Sequence, residues 1–263
     1  MSTQNSLTET DPRCLSVVVP AYNEAATIER VVLRLLELSE VLEVIIVDDC
    51  SSDRTPEVLQ RLAAQYPAVK TVRHEKNSGK TEALKTGFAL TQGDIVIVQD
   101  ADLEYDPRDI PELIRPILDG NADVVYGSRF LVRKAARVLY FYHYLANKFL
   151  TFTSNTLTNL NMTDVETGYK AFRGEIIRNM IITSSGFGFE IEVTAKVAKL
   201  RCRVYEVPIS YYGRTYEEGK KIGVKDGLQA CWLVFRFNLF CDLDSSFRQL
   251  PVRTDSKVTA TAS

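Results

Sequence analysis

Five short stretches rich in β-branched residues recur along the first half of the chain: CLSVVVP (14–20), VLEVIIV (41–47), VKTVR (69–73), DIVIV (94–98) and DVVY (123–126). Each is of strand length. Between them, residues 24–38, 55–66, 80–90 and 107–118 read as helices. In the first of these, Ile28, Val31, Val32, Leu35 and Leu36 fall on one face. Strands that alternate with helices predict an α/β fold, an open, mostly parallel sheet with helices on both faces. Ligands of such sheets collect beyond the carboxyl ends of the strands. The polar residues that follow the strands lie there: Tyr22-Asn23-Glu24, Asp48-Asp49, Asn77 to Lys80, and Asp100 to Glu104. One site is therefore expected to gather all four.

The pattern changes after Arg129. Residues 135–160 read as an aromatic-rich helix, followed by a polar turn and the strand-like TGYKAFR. A glycine-rich turn at 186–188, a helix over 190–200 and a strand over 203–209 come next. The expected organisation has a flexible stretch at 1–13 and one domain over 14–226. That domain divides into a nucleotide-binding half (14–130) and an acceptor half (131–226). An apolar or amphipathic helix over 227–243 and a disordered tail over 244–263 complete it.

A net charge of −2 on 263 residues offers no basic field for nucleic acid. The five cysteines are odd in number and lack CxxC spacing, which reads as a reduced, cytosolic thiol set. The two histidines, His74 and His143, are too few for a histidine-rich zinc site. The polar N-terminus lacks the apolar core of a signal peptide. The longest apolar segment, 228–241, is interrupted by Arg236 and Asn238 and falls short of the ~20 residues that span a bilayer.

Asp100 and Asp102 flank the small Ala101. In an extended loop this spacing points both carboxylates the same way. A hard divalent cation would relieve their repulsion and leave positions for phosphate oxygens. The plainer alternative is an acidic turn before the helix near Pro107. Tyr22 could pack on a base and Glu24 could accept hydrogen bonds from base or ribose, or Asn23 and Glu24 could simply open a helix. Lys80 opens a helix from NSGK and is assigned to donor binding, although neither GxxxxGK[ST] nor GxGxxG occurs. Arg214, Lys220 and Lys221 lie in GRTYEEGKKIG, either a solvated loop or a lid over phosphates. Asp164 with Glu166, and Glu190 with Glu192, are acidic pairs that could hold a general base or serve the fold alone.

Taken in order, SVVVPAYNEAATI, VDDCSSDRT, NSGK, DADLEYDP, YGSRF, TGYKAFR and RTYEEGKKIG resemble the family 2 glycosyltransferases of GT-A fold. The likeness runs over about residues 14–226 and is greatest to the polyprenyl-phosphate branch, the dolichyl-phosphate mannose synthases among them. It implies that Pro20, Tyr22, Glu24, Val47 and Asp49 hold the nucleotide. It also implies a DxD formed by Asp100, Ala101 and Asp102, with Asp100, Asp102 and Glu104 on Mg²⁺ or Mn²⁺. Arg129 would contact donor and acceptor phosphates, and Arg214 with Lys220 would form the basic pair of a closing loop. Catalysis would rest on Asp102, Arg129, Arg214 and Lys220.

Two features depart from the family pattern. Relatives place a basic residue just before the Ala-Asn of the acceptor helix, where Tyr144 and Leu145 stand here. Arg133 or His143 is the expected substitute, with Arg129 and Glu190, on the acceptor side. Many bacterial relatives also continue into membrane helices after the basic loop.

The implied reaction moves mannose or glucose from a nucleoside-diphosphate sugar to a polyprenyl or dolichyl phosphate, with inversion. The alternatives are a hydroxyl acceptor on a saccharide or protein, or a non-catalytic nucleotide-sugar-binding subunit. Residues 224–243 mix Trp232, Phe235, Phe237 and Phe240 with Lys225 and Arg236. That suits either a helix in a membrane interface or one packed on the domain. The expected location is cytoplasmic, free or peripheral on the cytoplasmic membrane face, with a peripheral lipid contact or a membrane subunit as the partner.

Overall fold

The computed structural model describes residues 13–131, 140–186, 188–213 and 224–251. Seven strands, β1 (Leu15–Ala21), β2 (Val41–Asp48), β3 (Val69–Arg73), β4 (Ile95–Val98), β5 (Val124–Ser128), β6 (Lys170–Arg173) and β7 (Val204–Pro208), form one sheet. Its order is β3-β2-β1-β4-β6-β5-β7. Strand β6 runs antiparallel to both neighbours, and every other pairing is parallel. The expected mostly parallel α/β sheet is therefore present, and strands from both sides of residue 130 share it.

The helices are α1 (Ile28–Leu36), α2 (Thr55–Gln65), α3 (Lys80–Leu90), α4 (Ile110–Leu118), α5 (Phe141–Thr158), α6 (Gly174–Asn179), α7 (Phe189–Leu200) and α8 (Val224–Leu239). They cover both sheet faces, so the central strands bury continuous apolar runs. Along β1, Val17 and Val19 enter one core with Ile28, Val31 and Leu35 of α1. Val18 enters the other, with Phe88, Phe172 and Phe189. Helix α3 lies so close to β1 that a Cβ on Gly87 would stand 2.3 Å from Val18 Cγ1.

Three expectations need correction. The first helix starts at Ile28, not at residue 24. Asn23 is in the left-handed region (φ 57°) and its side-chain oxygen accepts from Ser52 N at 2.8 Å, so residues 23–27 turn instead. The short helix α6 follows directly on a strand and had no periodicity long enough to announce it. The tail expected to be disordered from residue 244 is held through residue 248. Phe247 is buried in the second core and bridges to Met180. Ser246 O and Asn179 O accept from Ile181 N and Arg248 N, both at 2.8 Å. One apolar anchor in a polar stretch gives no pattern to read.

Helix α8 packs on the domain, one of its two expected uses. Leu233, Val234 and Phe237 pack on Val165, Ile191 and Ala195, while Trp232, Leu239 and Phe240 are exposed. Among the described residues no helix is long and apolar enough to cross a membrane.

Candidate active site

Beyond β4 the chain folds into a tight loop. Buried Gln99 donates to Asp100 O at 3.0 Å and accepts from the Tyr169 hydroxyl, and Leu103 takes a left-handed φ of 63°. Ala101 is buried, because a larger side chain would have to enter the core. Asp102 Oδ1 accepts from Glu104 N at 3.1 Å.

The positive charge demanded by this acidic loop comes from Lys80. Its ammonium stands 2.9 Å from Asp100 Oδ1 and 3.2 Å from Glu190 Oε1. Burial opposes its charge, but Asp100 and Glu190 more than offset that, and its pKa is raised. Three residues assigned to different tasks, Lys80 and Asp100 for the donor and Glu190 for the acceptor, thus form one ion-paired chain across the cleft. Gly168 lies against the other oxygen of Asp100, where a Cβ would come within 2.7 Å of Oδ2.

Among the described residues, no group of three histidine, cysteine or carboxylate side chains converges in a metal-binding cluster. The Oε2 of Glu104 accepts from the Tyr211 hydroxyl at 2.7 Å. Two carboxylates still suit Mg²⁺ or Mn²⁺ at a nucleotide site, since such ions take one or two protein carboxylates and fill the rest with water and phosphate.

The Tyr211 contact is part of a wider join between the acidic loop and the chain after β7. Tyr211 bridges Tyr105 in antiparallel register, and Tyr212 N donates to Glu104 O at 2.9 Å. The rings of Tyr105 and Tyr211 lie 5.3 Å apart, and Tyr105 stacks on Tyr169 at 4.7 Å. The chain just before the basic segment, at Tyr211 and Tyr212, therefore lies beside the acidic loop. Arg214, Lys220 and Arg133 themselves lie outside the described residues.

Arg129 follows β5 and is gripped from two sides by Asp164, Nε to Oδ2 at 2.6 Å and Nη2 to Oδ1 at 2.7 Å. Asn147 of α5 donates to the same Oδ1 at 3.2 Å. The guanidinium lies 5.1 Å from the centre of the Tyr211 ring. Burial disfavours the charge of Asp164, yet Arg129 more than compensates and holds its carboxyl below the usual range. His143 stands on the first turn of α5 with its ring 6.0 Å from Tyr140.

At the other end of the cleft, Pro20 pairs in register with Val47 and Tyr22 is 38% exposed just past β1. The side chain of Val47 is fully buried with Ile45 and Ala83, so only its backbone can meet a ligand. Glu24 Oε2 accepts from Thr27 Oγ1 at 2.8 Å. Asp49 is engaged within the protein. Its Oδ1 accepts from Ser78 N at 2.9 Å and meets His74 Nδ1 at 2.8 Å, and its Oδ2 accepts from Gly79 N at 2.7 Å. It thus pins the turn that presents Lys80. No spacing in the sequence joins residues 49, 74 and 78.

Below the acidic loop, burial and then the charge of Glu190 raise the Glu166 carboxyl from 4.5 to about 7, and its Oε1 has no hydrogen-bond partner. Nearby Lys170 is fully buried; its ammonium donates to Val165 O and Thr167 O, and burial lowers its pKa. A raised carboxyl pKa means that the folded state binds a proton the unfolded state has released. The contribution of Glu166 to stability then falls as pH rises from 4.5 to about 7. Glu166→Gln cannot titrate. Its stability relative to wild type is expected to climb through that window by on the order of 3 kcal/mol, at about 1.4 kcal/mol per pKa unit, and to level off above it. Thermal melts of both proteins from pH 4 to 8 check this, and parallel curves would contradict it.

Residues 16–181 match the family model described as glycosyl transferase family 2. A dolichol-phosphate mannosyltransferase of Pyrococcus furiosus is 33% identical over 213 residues, 80% of this chain and 59% of the relative. The chain thus spans less than two thirds of that relative's length. An undecaprenyl-phosphate mannosyltransferase of Micrococcus luteus is 29% identical over 216 residues, 78% of this chain and 86% of the relative. Among solved structures, glucosyl-3-phosphoglycerate synthase of Mycobacterium tuberculosis superposes with a TM-score of 0.67 at 24% identity, over 86% of this chain and 81% of that one. A likeness at this identity carries the GT-A fold alone. With the family model covering more than half of its length, the chain belongs to glycosyl transferase family 2.

Proposed function

We propose that this protein moves a sugar from a nucleoside-diphosphate sugar to the phosphate of a polyprenyl or dolichyl lipid, inverting the anomeric carbon. The observation that carries the reading is the pairing of Tyr105 with Tyr211. It sets the residues that precede the basic segment beside the Asp100–Asp102 loop, which supports a site for an anionic leaving group. The names of the two mannosyltransferase relatives support the lipid-phosphate acceptor. The M. tuberculosis synthase, described in complex with Mn²⁺ and uridine diphosphate, supports the donor class.

In this reading Asp100 and Asp102 would hold Mg²⁺ or Mn²⁺, which when bound neutralises the departing diphosphate. Lys80 keeps Asp100 and Glu190 in fixed relative positions, and Arg129, steered by Asp164, faces the phosphates. The acceptor phosphate, with a second pKa of about 6, is largely ionised at neutral pH and attacks the anomeric carbon without a base. One carbon–oxygen bond forms as the bond to the diphosphate breaks. Arg214 and Lys220 would close over the leaving group. The engagement of Glu190 with Lys80 and of Asp164 with Arg129 favours this acceptor over a hydroxyl, because two of the candidate bases already hold a cation.

The exposed aromatics of α5 and α8, among them Phe141, Phe152, Trp232 and Phe240, suit a peripheral contact with the cytoplasmic membrane face. The test is a panel of UDP- and GDP-sugars offered with undecaprenyl phosphate, dolichyl phosphate or oligosaccharides in the presence of Mg²⁺ or Mn²⁺. Mass spectrometry should find one glycosyl phospholipid, lost on chelation. Transfer to saccharides alone would refute the reading.

A further inference from the structure

Lys148 stands on α5 one residue past Asn147, outside every motif that marked the site. Its ammonium donates to Thr163 O at 3.2 Å and lies 4.5 Å from the centre of the Phe130 ring and 5.6 Å from that of Tyr144. Arg129 faces the same Phe130 ring at 5.7 Å, so the two cations are neighbours. Their electrostatic situations differ. Arg129 is neutralised by Asp164, and Lys80 by Asp100 and Glu190. Among the described residues no carboxylate pairs with Lys148. A half-buried ammonium held by one carbonyl and two aromatic faces, with no carboxylate beside it among the described residues, is placed to meet an anion.

The surroundings state what kind of anion. Tyr144 and Phe152 lie four residues to either side of Lys148, on the same helix face. They are 40% and 70% exposed, and Phe141 and Leu145 extend the stripe at 67% and 52%. A single cation set into an exposed apolar stripe matches an amphiphile with an anionic head and a hydrocarbon tail. A purely soluble anion would gain nothing from the rings.

We infer that Lys148 binds the phosphate head of the acceptor lipid and that the aromatic stripe of α5 takes the first part of its prenyl chain. The inference rests on the proposed lipid-phosphate acceptor and deepens it. Arg133 and His143, the substitutes expected from the sequence, are then not needed for that charge.

The test uses the full chain, a saturating sugar-nucleotide donor and a short, water-dispersible prenyl phosphate as the varied acceptor. Lys148→Met is expected to raise the acceptor KM about tenfold to a hundredfold, the scale of one lost charge-assisted hydrogen bond, with the donor KM unchanged. Lys148→Arg should restore most of that loss. Inorganic phosphate as a competitor separates head from tail. Phe152→Ser should weaken the prenyl phosphate and leave inhibition by inorganic phosphate as it was, whereas Lys148→Met should weaken both. A wild-type chain that glycosylates prenyl phosphate while Lys148→Met keeps its acceptor KM overturns the assignment and leaves the functional reading standing. An equal rise in donor and acceptor KM also overturns it, by showing a structural role. A wild-type chain that uses no prenyl phosphate overturns the functional reading, and this inference with it.

Discussion

Asp102→Ala is expected to abolish sugar transfer, with kcat down by ~10³-fold or more, while the protein keeps its fold. The asymmetry between the two aspartates is the reason to choose it. Asp100 is tied to Lys80, so its removal would also release Lys80 toward Glu190 and confuse the reading of any loss. Asp102 Oδ1 accepts from Glu104 N at 3.1 Å, within the loop that carries both residues. Losing one such turn hydrogen bond costs about 1 kcal/mol, which a chain of this size tolerates. Losing a carboxylate that would bind the divalent ion removes charge compensation where the diphosphate departs. Deleting even one preorganised electrostatic group commonly costs ~10²–10³ in kcat. Calorimetry separates the two effects. Titration of the nucleotide-sugar with Mn²⁺ should give a binding heat in wild type that vanishes in the variant, while the melting temperature moves by only a few degrees. Undiminished Mn²⁺-dependent binding would refute the role.

How far the sequence reaches depends on the range of the interaction. Strand alternation is local, and β3 and α3 fall on the residues expected from it. Since parallel strands all end on one edge, the nearness of Asp49, the turn before Lys80 and Asp100 followed from the fold class. Side-chain partnerships were not legible. The resemblance implied that Asp49 holds the nucleotide, and it did not announce that His74, Ser78 and Gly79 reach that carboxylate from 25 to 30 residues away. It implied the same of Val47, and the parity of the strand turns that side chain under α3. It implied that Glu104 is a metal ligand, and a tyrosine 107 residues downstream also donates to that carboxylate. Lys148 went unnoticed for the converse reason, because the structure withholds from it the carboxylate that a surface lysine usually finds.

Removing Asp164 is expected to be the most damaging change to stability. Asp164 is fully buried and Arg129 is 13% exposed, and the pair is joined by two hydrogen bonds with Asn147 attached. Deleting one partner of such a pair strands a charge in a medium that cannot solvate it, at a cost of about 3–5 kcal/mol. At roughly 2–4 °C per kcal/mol, Asp164→Ala should melt about 10 °C or more below wild type. Arg129→Met should be comparably destabilised, for it leaves the carboxylate uncompensated. The double variant should then recover a large part of the sum, because each single change incurs the same stranded charge. The pH dependence has a defined sign. Arg129 holds the folded-state pKa of Asp164 below its ordinary 3.8, so the stabilisation is complete above that value and is lost as pH falls through the folded-state pKa. Asp164→Asn should therefore close part of its stability gap to wild type on acidification through the folded-state pKa. Strict additivity of the two single changes would show that the ion pair does not hold α5, the β5 end and the 163–168 turn together, and Arg129 would have to be positioned by its contacts with Phe130 and Tyr211 instead.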